Sequence, residues 1–303
     1  MAHPLACHFR CLGKLTQSNF VHDNEETPST DGTSFQASGM FGYDQAFIGG
    51  TLALGSFQDE FGIVKGTPGY TSFSSNTTSI FQAGCFFGGL MGYWFSEQFG
   101  RKKQLLASGT VFILGVVMQL AAFGITGLMY AGRILTGVAV GASAMCVPIY
   151  IAESSPPSIR GRLVGIFECS LQIFGVFGFW INYGVNQNMA PSRAQWQVPF
   201  AVQLIPAGLL LIFMPFSTES PRWLARKGRM EEATRVLAKV RNLPAEHPYV
   251  QNEVREMEIS IEAEAASSNG SFWRDSWKEA LRPGVRNRLI LAISLKVLQN
   301  LTG

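Results

Sequence analysis

The sequence predicts an all-α membrane protein, and two observations carry that reading. Apolar runs of about 20 residues, the length a ~30 Å hydrocarbon core demands, recur at short intervals. Lys and Arg gather in every second connection between them. A third observation sharpens the picture, because Asp44 and Arg133 lie inside apolar runs. A charge in hydrocarbon costs at least ~2.5–3.5 kcal/mol, so two of opposite sign mark a functional-site hypothesis by default. Bulk composition is muted at 47% hydrophobic and 15% charged. A polar tail and the charged stretch from Glu219 to Arg288 dilute the membrane part.

Taken in order, residues 1–34 form a polar tail, expected to be cytosolic, with no apolar core that would make a cleavable signal. The first span, 35–57, is the weakest, since it carries Gln36, Ser38, Asp44 and Gln45. Stronger spans follow at 77–96, 104–123, 127–151, 163–184 and 198–217. Together, 35–218 read as a six-helix transmembrane bundle. Beyond it, 219–286 form a linker. Ala233, Val236, Leu237 and Val240 keep the i, i+3, i+4, i+7 spacing of an amphipathic helix, and Val254, Met257, Glu258 and Ile261 nearly repeat it. The run Leu289 to Gly303 has the look of a helix start.

With a cytosolic N-terminus, the inside segments hold twenty Lys and Arg and the outside loops only Lys65 and Arg193. The positive-inside rule therefore fixes the orientation, and the net charge of +3 reflects topology, with no nucleic acid implied. Asn76-Thr77-Thr78 matches a glycosylation acceptor in the first outside loop. Cys85, Cys146 and Cys169 read as small apolar packing residues. Cys7, His8, Cys11 and His22 fit no zinc spacing, so no metal is expected. Every His lies outside the spans, and no nucleophile pair, phosphate loop or cofactor motif appears. An enzyme is not the expectation.

Several short motifs remain. Residues 42–50 read GYDQAFIGG, 100–103 GRKK, 132–137 GRILTG, 147–162 VPIYIAESSPPSIRGR, 218–224 TESPRWL and 299–303 QNLTG. Six in this order and register resemble the sugar porter branch of the major facilitator superfamily. Within it, residues 160–211 look most like fungal quinate permeases and their hexose-transporting relatives. The resemblance covers 40–303 and implies the N-terminal six-helix bundle, a cytosolic helical linker and the start of helix seven at 287–303, without the C-terminal half. There are departures. Polar sequence replaces the apolar half-helix before GYD, Gln45-Ala46 stands for Thr-Gly, Thr218 for Pro, and Glu97 for Asp.

The resemblance implies proton-coupled uptake of quinate or a monosaccharide by alternating access across the plasma membrane, with the bilayer, a small molecule and a proton as partners. Asp44 and Arg133 would be the proton-coupling pair, since helices one and four are equivalent in inverted three-helix repeats and protonation would release the arginine. On helix five, Glu168, Gln172, Gly175, Phe179 and Asn182 recur at helical spacing. Glu168 and Gln172 are expected to meet substrate there, with Gln299 and Asn300 on helix seven, while Asn182 is expected to bond between helices. Glu97, Arg101, Glu153, Arg160, Arg162, Glu219 and Arg222 would form an inner gate, whereas topology alone accounts for Lys102 and Lys103. Gly132, Gly137, Gly141, Gly84, Gly88, Gly89 and Gly92 read as close-packing ridges. Two other readings stay open, a non-transporting nutrient sensor of the same fold and a truncated, inactive carrier.

Overall fold

The computed structural model describes residues 28–156, 158–267, 280–281 and 283–301. Most of the N-terminal tail, with Cys7, His8, Cys11 and His22, lies outside the described residues. Every regular element among the described residues is helical. In chain order these are α1 (Pro28–Leu52), α2 (Gly55–Phe61), α3 (Pro68–Phe99), α4 (Arg101–Leu120), α5 (Thr126–Ser154), α6 (Arg160–Asn188), α7 (Arg193–Val202) and α8 (Leu204–Phe213). A 3-10 turn, Met214–Phe216, precedes α9 (Pro221–Arg226), α10 (Met230–Arg241), α11 (Pro248–Ser267) and α12 (Pro283–Leu301). The chain divides into two compact units after Val250, and α12 falls in the second.

Among the described residues, four segments are long and apolar enough to cross a bilayer: Arg101–Leu120, Thr126–Ser154, Arg160–Asn188 and Arg193–Phe216. The chain is an integral membrane protein. The expected span 77–96 lies within α3, while 35–57 overlaps α1, which begins earlier and ends at Leu52, so that its last residues fall in α2; polar residues keep the hydropathy of α1 and α3 lower. At 32 residues α3 is ~48 Å long, well beyond the hydrocarbon core. Its first turns therefore project past the bilayer and take in Asn76, which the sequence reading places in a loop. The Thr78 hydroxyl of that triplet donates to the Ser74 carbonyl at 3.1 Å, within the helix.

Small residues decide how the helices of the first unit meet. A Cβ added at Gly84 would come within 2.8 Å of the Ile134 carbonyl oxygen, and at Gly137 or Gly141 it would strike the carbonyls of Phe81 or Cys85. On the other side of α5, Gly115 and Gly132 bring α4 equally close, 2.9 Å from the Gly132 oxygen to a Cβ at Gly115. So α5 is wedged between α3 and α4 at backbone-contact distance, where dispersion and carbonyl contacts replace the absent hydrophobic effect. Gly89 is looser, 3.8 Å from the Gly141 oxygen. In the same way α1 docks on α6, where a Cβ added at Gly42 would strike the Leu171 carbonyl and one at Gly178 would lie 3.3 Å from that of Tyr43.

Two apolar clusters fill the bundle. One gathers Met40, Phe81, Phe112, Val140, Tyr150 and Met214, and the other Phe47, Phe57, Phe73, Met129, Trp196 and Phe200. At the second cluster's end of the bundle, the Arg193 guanidinium pairs with Glu60 at 2.8 Å and lies 5.1 Å from the Phe123 ring centre, tying three connections together. The opposite end carries the basic connections.

Candidate functional site

Asp44 and Arg133 are brought together between the two apolar clusters. Arg133 Nη1 donates to Asp44 Oδ1 at 3.2 Å, and the two side chains are 1% and 0% exposed. Nothing among the described residues bonds Asp44 Oδ2, Arg133 Nε or Arg133 Nη2. The guanidinium carbon instead lies 5.1, 5.8 and 5.6 Å from the ring centres of Phe47, Phe81 and Phe200. Face-on aromatics lower the cost of a cation without directing it to one acceptor. A cavity of about 110 Å³, with Gln45, Thr78 and Gln82 in its walls, reaches this pair. The arrangement is a charge pair held by a single hydrogen bond in apolar surroundings. Protonating the acid would remove its electrostatic hold on the arginine.

Farther along α1 and α6, Asn182 behaves as expected. It accepts from Thr51 Oγ1 at 2.8 Å and donates to the Phe47 carbonyl at 2.7 Å, binding the two helices. Glu168 and Gln172 are exposed on α6, and so are Phe179 and Trp180. Gly175 and Asn182 depart from that grouping and turn toward α1. The reason is geometric: at ~100° per residue these two trail the Glu168 direction by roughly 20–40°, on the side where Leu171 and Gly178 touch α1. Gln299 and Asn300 fall within α12, and their side chains lie outside the described residues.

At the basic end Arg101 is a hub. Its Nε and Nη2 grip Glu153 at 2.9 and 3.0 Å, Nη2 also reaches Glu97 at 2.6 Å, and Nη1 donates to the Ser96 carbonyl at 3.0 Å. Glu219 accepts from the backbone N–H groups of Arg101, Lys102 and Ser220 at 2.9, 3.1 and 3.0 Å. Two of these are unsatisfied donors at the start of α4, where a carboxylate is favoured. Gly100, at φ 99°, makes the corner and leaves room for that carboxylate. Arg222 is half-buried in the first turn of α9.

Two of the expected gate residues fall elsewhere. Arg160 and Arg162 are exposed at the start of α6 and pair with none of these acids among the described residues. Lys102 has a task that topology did not require. Its Nζ donates to the carbonyls of Pro215 and Ser217 at 2.6 and 2.9 Å, closing the end of the sixth span, where free carbonyls attract cations. Lys103 stays exposed.

Sequence reasoning missed four further members. The Ser220 hydroxyl donates to Glu153 at 2.6 Å while accepting from the Trp223 N–H, as the N-cap of α9. Trp223 Nε1 donates to the Glu97 carbonyl at 3.0 Å, Tyr150 Oη to that of Thr218 at 2.6 Å, and Arg241 Nη1 to that of Ser154 at 2.9 Å. The Ser220-Pro221 pair is a helix-start signal that could have marked the first of these.

The family model described as "Sugar (and other) transporter" matches residues 33–303. The chain belongs to the sugar transporter family. Among curated relatives, a probable quinate permease of Neosartorya fischeri is 47% identical over 267 residues, covering 87% of this chain and 49% of that protein. The quinate permease of Neurospora africana is 46% identical over 271 residues, or 88% and 50% of the two chains. This sugar transporter family chain thus spans about half the length of the curated relatives it matches. Among solved structures, the major facilitator proton:xylose symporter XylE bound to 6-bromo-6-deoxy-D-glucose superposes with a TM-score of 0.71 at 26% identity, covering 78% of this chain and 53% of that one. The partially occluded inward-open form of XylE from E. coli gives 0.71 at 26%, over 79% and 60%. The fold is that of a major facilitator N-terminal bundle with its helical linker, and the matched curated relatives are permeases, not enzymes.

Proposed function

We propose that this chain works in a secondary active carrier of the plasma membrane that couples uptake of quinate or a monosaccharide to a proton by alternating access. The observation that carries the reading is the Asp44–Arg133 pair, fully buried and held by one 3.2 Å hydrogen bond. A pair kept for packing alone would be expected to satisfy its polar atoms, and apolar residues of like volume often serve packing as well. A carboxylate that must exchange a proton needs a partner it can release. Glu168 and Gln172 on the exposed face of α6 supply amide and carboxylate groups of the kind a polyhydroxylated substrate requires, and the sequence motif at Gln299 and Asn300 assigns those two amides to substrate as well. Arg101, Glu97, Glu153, Glu219 and Arg222 hold the inner end closed, with Arg160 and Arg162 exposed in the same connection region. The similarity to quinate permeases and to XylE, a proton:xylose symporter, supports the same reading.

The test is uptake of radiolabelled quinate, glucose and xylose by the full-length protein carrying this chain, at two external pH values. Asp44→Asn mimics the protonated acid, so it abolishes accumulation against a gradient and retains exchange. Undiminished accumulation by that variant would make the pair structural.

A further inference from the structure

The cavity beside the ion pair has polar walls that the pair itself does not engage. At about 110 Å³ it offers room for on the order of three water molecules. Gln45 of α1 and Gln82 of α3 line its open side, both exposed, and neither amide forms a hydrogen bond among the described residues. Thr78 lines it too, and its hydroxyl, donating to Ser74, keeps lone pairs to accept from water. Asp44 and Arg133 close its inner side, with Asp44 Oδ2, Arg133 Nε and Arg133 Nη2 all lacking a partner among the described residues. Water resides where a site is polar, roomy and offers two to four partners, and these conditions meet here.

Depth adds a direction. Asp44 lies eight residues before the end of α1 and Arg133 seven after the start of α5. At 1.5 Å per residue this is ~10–12 Å from the helix ends at the Lys65 and Arg193 loops. The positive-inside rule makes that end external.

We infer that this cavity is a hydrated chamber that delivers the external proton to Asp44, with Gln45, Thr78 and Gln82 as positioning residues for its water. The inference rests on the proton-coupled reading. A hydronium in the chamber gives its proton to the Asp44 carboxylate, water is left behind, and the Asp44–Arg133 hydrogen bond breaks. Few other groups near Asp44 titrate. Tyr43, on its own helix, spends its hydroxyl on the Pro199 carbonyl at 2.9 Å. Cys85 stands on α3. The titratable groups of α6, namely Arg160, Arg162, Glu168, Cys169 and Tyr183, are exposed, Arg193 of α7 pairs with Glu60, and α8 has none.

The experiment compares Gln82→Leu, Thr78→Val and Gln82→Asn in the full-length carrier, reading substrate-driven proton uptake with a pH-sensitive dye and, separately, substrate exchange without a gradient. Gln82→Leu and Thr78→Val slow proton uptake about tenfold, the rate equivalent of one hydrogen bond in the path, with exchange and apparent KM unchanged. Gln82→Asn, which keeps an amide, restores most of the rate. Wild-type proton uptake in Gln82→Leu while Asp44→Asn is dead would overturn the chamber and leave the switch. An Asp44→Asn variant that still accumulates would remove both. Equal loss of exchange and proton uptake in Gln82→Leu would make Gln82 a packing or substrate-contact residue and overturn the inference as well.

Discussion

Replacing Arg101 by Met keeps the aliphatic volume of the side chain and removes its charge. In the native protein the guanidinium is 2% exposed and makes four hydrogen bonds, two of them to Glu153, which is itself 9% exposed. Glu97 is different, because at 33% exposure, with Arg226 3.6 Å away, it keeps water and a second cation when Arg101 goes. Its share is that of a surface pair, ~0–1 kcal/mol. Glu153 would keep only the Ser220 hydroxyl as a donor, and breaking a buried pair from one side costs ~3–5 kcal/mol. We therefore expect Arg101→Met to destabilise the purified protein by about 3–5 kcal/mol, nearly all of it through Glu153. Adding Glu153→Gln, which neutralises the stranded acid, recovers part of the loss with a coupling of at least ~1 kcal/mol. Thermal unfolding in detergent, followed by tryptophan fluorescence, reads both. Cys146 supplies an internal reporter, since its thiol is buried 3.7 Å from the Arg101 carbonyl and 3.9 Å from the Ser96 hydroxyl. With Cys7, Cys11, Cys85 and Cys169 all replaced by Ser, Arg101→Met speeds maleimide labelling of Cys146. A loss below ~1 kcal/mol, or strictly additive variants, would refute the account of Arg101 as the hub.

Three other outcomes can be checked alongside. Gly141→Ala drives a methyl onto the Cys85 carbonyl and costs ~1–3 kcal/mol, whereas Gly165→Ala on α6 meets nothing within 4 Å and gains up to ~1 kcal/mol, both read as shifts in Tm. Asn182→Leu strips the α1–α6 contact of its bonds to Thr51 and Phe47, costs ~1–3 kcal/mol and speeds hydrogen exchange in α1. Glu168→Gln turns an acceptor into a donor and acceptor, so competition uptake in the full-length carrier shows tighter binding of an anionic substrate.

What the sequence disclosed, it disclosed through residues out of place in their surroundings. Asp44 and Arg133 stand out against apolar runs, and the acids Glu97, Glu153 and Glu219 stand out because topology calls only for bases at that end. Packing glycines are legible for a similar reason, since their spacing keeps one helix face small. Partners remote in the chain were hidden. Arg241 reaches Ser154 across 87 positions and Trp223 reaches Glu97 across 126, and in each of these bonds the acceptor is a backbone carbonyl. Lys102 was lost among topological charges for the same reason. The start of α1 escapes a hydropathy reading because its N-terminal turns are polar, and helix formation there does not require an apolar face.

Two of the buried arginines, Arg101 and Arg133, give the proposed function a physical footing. Arg101 is 2% exposed and Arg133 is 1% exposed, so desolvation burdens both alike. The difference lies in what surrounds them. Arg101 meets two carboxylates and a carbonyl through four hydrogen bonds, an arrangement in which losing any one acid leaves the cation still held. Arg133 meets one carboxylate oxygen and three aromatic faces, so a single proton on Asp44 removes the charged partner that holds it. A cation so placed must then find another acceptor or water, and either requires movement of α5 or of the side chain itself. That movement is tied to close packing, because α5 touches α3 and α4 at backbone distance and cannot shift without carrying both. The same helix carries Glu153 in its last turn, inside the Arg101 cluster. On the proposed function, protonation of Asp44 beside Arg133 and release of the Arg101 cluster are linked through one stiff element, and Gly137→Leu, which forces α5 away from the Phe81 carbonyl, should uncouple proton binding from Cys146 labelling.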